Sequence, residues 1–326
     1  MTVQAQPGMQ PSVESALKND VRSGRFTHAL LLSGQKGLGK KTLARQLAKG
    51  LLCTGNPAER PCGLCASCRR FESGTHANLL TPVRKPSDKS IKIDAIRDIL
   101  KALSMHGLER GARVVLLENA EMLLPPAQNC LLKTLEEADG DTYFILTTDS
   151  ERSILPTILS RCRIERMQPW PDERMADELR RAGIPGEKIR ELIAVSDGSI
   201  GQALSIAQNA AYWDARDAVV KGLLSVSSPG DVPAALSRFK EKKDDAGIYL
   251  DIAEQELSAF LQAVAAGAPP ASYPSPAWRY AALPGLRRML AAVFTARRMR
   301  ASNVNWQAAL EQLLQTIVEE TSAWQP

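Results

Sequence analysis

The sequence predicts an α/β domain followed by an all-α half, and three observations carry that prediction. Short apolar runs alternate with helical periodicities between residues 29 and 167. A glycine-rich loop, G-Q-K-G-L-G-K-K-T (Gly34 to Thr42), joins the first apolar run to the first amphipathic stretch. Beyond Pro169-Trp170-Pro171 no segment reads as a strand. Strands separated by helices argue for a mostly parallel sheet covered on both faces. The 326 residues, 44% hydrophobic and 24% charged, suffice for two or three domains of an ordinary soluble protein.

In order, Ala29 to Leu32 forms a short apolar run ending at Gly34, as a buried parallel strand entering a phosphate loop should. Leu43, Leu47 and Leu51 then share one helical face with Ala44 and Ala48 beside them. Asn78 to Thr81 reads as a second strand stopped by Pro82, and Ile93, Ile96, Leu100 and Leu103 follow helical spacing. Val114 to Leu117 is a third strand, Ala127 to Glu137 a helix, Tyr143 to Thr147 a fourth strand and Ile164 to Met167 a fifth. Asp172 to Ser205 fits three short helices, with breaks at Gly183 to Gly186 and Asp197 to Ser199. The Ala- and Leu-rich remainder from Ala211 suggests a helical bundle, interrupted by a loop at Gly267 to Pro276. The expected domains are 1–168, 169–208 and 209–326.

No apolar run reaches membrane-spanning length, and Met1 to Pro11 lacks an apolar signal core. A cytoplasmic protein without a membrane partner is expected, its six cysteines being thiols or metal ligands rather than disulfides. The net charge of +5 is mild, and a solvated basic surface explains it more simply than nucleic-acid binding. Cys53, Cys62, Cys65 and Cys68 form C-x8-C-x2-C-x2-C, a spacing that lets four thiolates converge on tetrahedral zinc. A closed set of four protein ligands makes such zinc structural, and in a turn-rich module with little core the metal supplies folding energy. His76 is a conceivable substitute ligand, but a place at the surface is the expectation.

The loop at residues 34–42 fits a phosphate-binding pattern at Gly34, Gly39 and Lys40, with Gly37 a further nucleotide-binding candidate, but Lys41 stands where a hydroxyl should ligate Mg²⁺. The nearest hydroxyl, on Thr42, comes one residue late. After the third strand the chain reads Glu118-Asn119. Glu118 is suited to the metal side, but the neutral Asn119 cannot serve as a general base, and two polar residues that simply close a strand fit at least as well. Binding and hydrolysis are separate questions, and the loop leaves open whether ATP is bound.

H-A-L-L-L-S-G (His28 to Gly34), the cysteine module, L-L-K-T-L-E-E (Leu131 to Glu137) and S-R-C (Ser160 to Cys162) together resemble the bacterial DNA polymerase III clamp loader, an AAA+ family. Asn303-Val304-Asn305 is similar to the end of that family's last domain. The resemblance implies a P-loop domain, a three-helix lid and a helical collar. Motor subunits of the gamma and tau type carry Ser or Thr at position 41, Asp-Glu at 118 and 119, and an arginine sensor where Gly201 stands. Departures at all these places make the chain similar to delta-prime subunits, which share the fold with a degraded nucleotide site. Thr148 matches the family's first sensor. Arg161 corresponds to an arginine finger that enters the neighbouring subunit's ATP site. Ser160 is expected to cap or hydrogen-bond locally and Cys162 to begin a buried strand, so neither needs a chemical role.

The resemblance therefore implies a non-catalytic subunit of a hetero-pentamer with gamma or tau and delta. That complex reaches the sliding clamp and primed DNA. An active AAA+ motor using Thr42 and Glu118 is the alternative, and a lone zinc-dependent nucleic-acid binder is the third reading. Arg287, Arg288, Arg297, Arg298 and Arg300 are expected on a solvated helix face, with partner contact second.

Overall fold

The apolar run at residue 29 becomes β1 (Ala29–Ser33), buried along its whole length between β4 (Thr142–Thr148) and β5 (Arg163–Arg166). A strand paired on both sides and covered on both faces has no solvent side, so it needs no polar alternation. β3 (Arg113–Leu117) lies on the far side of β4, and the two-residue β2 (Leu79–Leu80) closes that edge. All pairings are parallel, in the order β2-β3-β4-β1-β5. The computed structural model describes residues 11–83, 88, 90–104, 111–137, 141–240, 246–270, 279–302 and 304–324. Residues 271–276 of the expected loop and Asn303 lie outside these.

Two compact units divide the chain: Met1–Arg174 with Gly198–Gly201, and Met175–Asp197 with Gln202–Pro326. In the first, α2 (Lys40–Leu52) packs on one face of the sheet with α1 (Pro11–Arg22) against it. The other face meets α4 (Ile93–Ser104), α5 (Pro125–Glu136) and α6 (Pro156–Leu159). There Ile96, Leu131, Leu135 and Ile158 bury against Leu31, Val115, Leu117, Phe144 and Leu146. Pro125 starts α5 because a missing N–H costs nothing in a first helical turn. β5 departs from expectation. It is a sheet edge rather than a buried strand, with Arg163 paired to Asp20 at 2.7 Å and Arg166 to Glu151 at 2.8 Å. Charges along an edge discourage further strand pairing.

In the second unit, α7 (Asp172–Arg181), which begins in the first unit, is followed by α8 (Gly186–Ser196). After α9 (Ile200–Ala207) come α10 (Ala210–Val219), α11 (Val232–Lys240), α12 (Ala246–Ala265), α13 (Leu283–Ala301) and α14 (Trp306–Thr321). Its core includes Phe239, Leu250, Leu286, Met289, Val293, Leu310 and Leu314. The two helix breaks fall where glycines and prolines were expected to put them. Among the described residues, no strand follows β5, and no helix is long and apolar enough to cross a membrane.

Arg216 of α10 is buried within this apolar bundle. It pairs with Glu256 of α12 through Nε and with Glu191 of α8 at 2.9 Å through Nη1, while its guanidinium lies 5.4 Å from the Trp213 ring centre. A buried charge is tolerated only when paired, and here one arginine joins three helices. On α13, Arg288 pairs with Glu320 of α14, and Arg297 pairs with Asp251 and Glu254 of α12. Part of the expected solvated basic face is thus spent on intramolecular pairs. Replacing Arg216 by Ala leaves Glu256 buried and uncompensated. Urea unfolding is expected to show a loss of roughly 3–5 kcal/mol, and Arg216→Lys should recover part of it.

Candidate functional site

β1 delivers the chain to Gly34, and the glycine-rich loop carries it to Lys40, the first residue of α2. Gly39, at the N-cap of α2, has φ 90°, a left-handed backbone that favours glycine. Gly34, Gly37, Gly39 and Lys40 therefore occupy the strand–loop–helix setting that the pattern requires. The Lys40 side chain is only 5% exposed. Its ammonium donates to Gly34 O at 2.5 Å and Gln35 O at 2.6 Å, and pairs with Asp149 Oδ1 at 2.7 Å. An ammonium has three donors, and the chain itself engages all three.

A second segment grips the same loop. Ser199 Oγ donates to Lys36 O at 2.8 Å, and Gly201 N–H donates to Gly37 O at 2.9 Å. A Cβ at position 201 would stand 2.9 Å from both the Cα and the carbonyl oxygen of Gly37, closer than real side chains come. Glycine at 201 has a positive reason of its own: the backbone of the loop passes where an arginine would begin.

The acids and hydroxyls beside the loop are engaged too. Glu118 accepts from Arg45 Nε at 2.6 Å, a helix cation meeting the acid that suits a metal. Asn119 has φ 57° and ψ 59°, a left-handed conformation that asparagine tolerates, and its N–H donates to Thr147 Oγ1 at 3.1 Å. The buried Thr148 hydroxyl donates to Ser150 O at 3.0 Å and accepts from Ser150 N at 3.1 Å. Lys41 is exposed. The cation near the acid is thus Arg45, one helical turn on, rather than Lys41.

The S-R-C segment lies between α6 and β5. Arg166 and Glu151 form two parallel 2.8 Å hydrogen bonds there, and Arg166 holds the Glu151 carboxyl below its usual range. Ser160 bonds locally, Oγ to Thr157 O at 3.1 Å. Burial pushes the Cys162 thiol up to about 11, so it stays protonated at neutral pH. The Arg161 side chain is one-third exposed and turns back to Glu136 at the end of α5.

The four cysteines of C-x8-C-x2-C-x2-C converge, with all their sulfurs within 4.8 Å of one another. Cys53 Sγ lies 3.5 Å from Cys62 Sγ and 3.8 Å from Cys65 Sγ. Tetrahedral zinc with bonds of about 2.3 Å needs sulfurs about 3.8 Å apart, so the donor set fits a metal ion. Backbone N–H groups already aim at sulfur, Cys65 at Cys62 and Cys68 at Cys65, at 3.4 and 3.3 Å. Such donors lower the Cys62 thiol. At Cys65 burial opposes the shift, but the Cys68 and Thr54 hydrogen bonds prevail and bring it down to about 5. Burial drives Cys68 the other way, up to about 12. His76 is buried, not at the surface. Its Nε2 meets Ser67 Oγ at 2.9 Å and its Nδ1 accepts from Asn78 N at 3.1 Å, so it props the module rather than joining the ligands.

A family model described as "DNA polymerase III, delta subunit" matches residues 9–171, half of the chain. The delta′ subunit of Escherichia coli DNA polymerase III is 30% identical over 244 residues, covering 74% of this chain and 72% of that one. The chain belongs to the DNA polymerase III delta′ family. The Yersinia pestis delta′ subunit is 34% identical, covering 73% of this chain and 70% of its own. The tau subunit of Salmonella typhimurium is 33% identical over 62% of this chain, but that match takes in only 32% of tau.

Within this family member, sequence reading located the loop, the cysteines and Arg161, but not Asp149, Arg45, Ser199 or Glu136. Each of these acts on a residue distant along the chain, so that even Glu136, inside L-L-K-T-L-E-E, has a partner no local pattern names. Replacing Lys40 by Ala removes the shared donor of Gly34 O and Gln35 O and leaves Asp149 without its cation. Thermal and urea unfolding are expected to show a loss of about 1–3 kcal/mol.

Proposed function

We propose that the protein is a non-catalytic delta′-type subunit of a DNA polymerase III clamp loader, which helps place the sliding clamp on primed DNA. Its partners in this reading are gamma or tau and delta subunits, in a cytoplasmic hetero-pentamer. Residues 1–168 would be the AAA+ domain, 169–208 the lid and 209–326 the collar that joins the ring. The observation that carries the reading is the state of the chain's own phosphate-loop site beside an intact S-R-C motif. In and around the loop, the Lys40 ammonium, the Glu118 carboxylate and the Thr148 hydroxyl are bound to other residues of the chain. Arg161 pairs with Glu136 but keeps its side chain one-third exposed.

The loop's residues do not fit Mg²⁺-ATP as a motor's would. A triphosphate would have to displace Asp149 from Lys40, and a metal would have to displace Arg45 from Glu118. Own turnover is therefore absent in this reading. Arg161 acts instead in trans, its guanidinium stabilising charge on the phosphoryl group that a neighbouring subunit transfers to water. Such fingers contribute roughly 10³ to 10⁵ in rate where they are well studied.

The cysteine module binds structural zinc at Cys53, Cys62, Cys65 and Cys68, which replaces a core that the turn-rich segment lacks. Metal analysis of protein never exposed to chelator should give about one zinc per chain. Zinc should leave as the pH falls, because protons then compete for the thiolates.

In the reconstituted complex, Arg161→Ala should leave assembly intact and lower clamp- and DNA-stimulated ATPase at least tenfold, a modest share of a finger's effect. Unchanged turnover and loading would reject the finger. Appreciable ATPase of the isolated chain, abolished by Lys40→Ala, would instead favour the motor reading.

A further inference from the structure

Two motifs meet at one ion pair, and so far only one of them has a role. In L-L-K-T-L-E-E, Leu131 and Leu135 are buried under α5 and Lys133 is exposed. The helix ends at Glu136, which lies 25 residues from Arg161 in sequence and in contact with it in space. Arg161 Nε and Nη2 both donate to Glu136 Oε1. Arg161 Nη1 donates to Thr157 O at 2.7 Å and to Ser160 Oγ at 3.3 Å. A guanidinium carries five N–H donors, so these contacts occupy four, and its charge rests on a carboxylate.

An arginine in this state is not ready for a phosphate. We infer that Glu136 is a positioning residue that holds Arg161 against its own chain until a nucleoside triphosphate bound by a neighbouring subunit competes for it. The inference rests on the reading of Arg161 as a finger in trans. The hold is reversible because the two side chains are 33% and 49% exposed, so water screens the pair. A triphosphate carries more negative charge than a carboxylate, and its oxygens can accept from both Nε and Nη2. Thr157 O and Ser160 Oγ can keep Nη1 oriented while the Nε edge passes from carboxylate to phosphate. The exchange moves hydrogen bonds only. It makes the finger's availability depend on the neighbour's nucleotide, and it gives the acidic end of the longer motif a function.

The test uses the complex reconstituted from the full chain and its ATPase partners. Glu136→Gln keeps the shape and removes the charge. ATPase without clamp or DNA should rise about twofold to fivefold, the span that an exposed ion pair can hold back. Glu137→Gln, which removes the same charge one residue on, should leave it unchanged. The rise should vanish in the Glu136→Gln, Arg161→Ala double variant. In the isolated chain, the Arg161 Nε–H resonance should shift on Glu136→Gln while thermal stability stays the same. Turnover of Glu136→Gln at or below the unsubstituted level, or an unmoved resonance, overturns the role of Glu136 even if Arg161→Ala cuts stimulated turnover. Arg161→Ala without effect overturns the finger itself, whatever Glu136→Gln does.

Discussion

The buried ammonium of Lys40 is the constraint on which the top of the sheet depends. It joins the start of the loop, through Gly34 O and Gln35 O, to Asp149 just beyond β4. A lysine with little solvent access must find acceptors, because an unpaired buried charge is too costly to keep. In a working phosphate loop the nucleotide supplies them. Here carbonyls and a carboxylate of the same chain do so. Ser199 and Gly201 add two hydrogen bonds from outside, so the loop is fixed from both sides.

The same substitution of protein charge for ligand charge recurs nearby. Arg45 stands against Glu118, where a metal-bound acid would face Mg²⁺, and Asn119 serves a left-handed turn. Arg161 and Glu136 follow the same physics, with both side chains in water's reach. Lys40 differs in being almost wholly covered, at 5% exposure, while its partner Asp149 is 38% exposed.

The cysteine module shows a third way to stabilise a segment that cannot bury a core. Four sulfurs lie within 4.8 Å of one another, with backbone N–H groups already directed at two of them. A divalent cation held there would oppose the effect of burial, which raises the Cys68 thiol. His76 links the module to the sheet through Ser67 on one side and Asn78 on the other.

The five strands, the loop, the helix breaks and the cysteine cluster were legible in the sequence, because each is written in residues close together: apolar runs, glycines at fixed offsets, two-residue gaps. Arg161 was legible through its motif. His76 was misplaced at the surface and β5 in the interior, since burial depends on what packs against a segment. The contacts that give the site its character join Arg45 to Glu118 across 73 residues and Arg161 to Glu136 across 25. No local periodicity encodes such pairs. By itself the sequence determined which backbone could cradle a phosphate and which thiols could share a metal. Only the tertiary structure decided which charges are already spent, because a charge pairs with whatever the fold brings within a few ångströms of it.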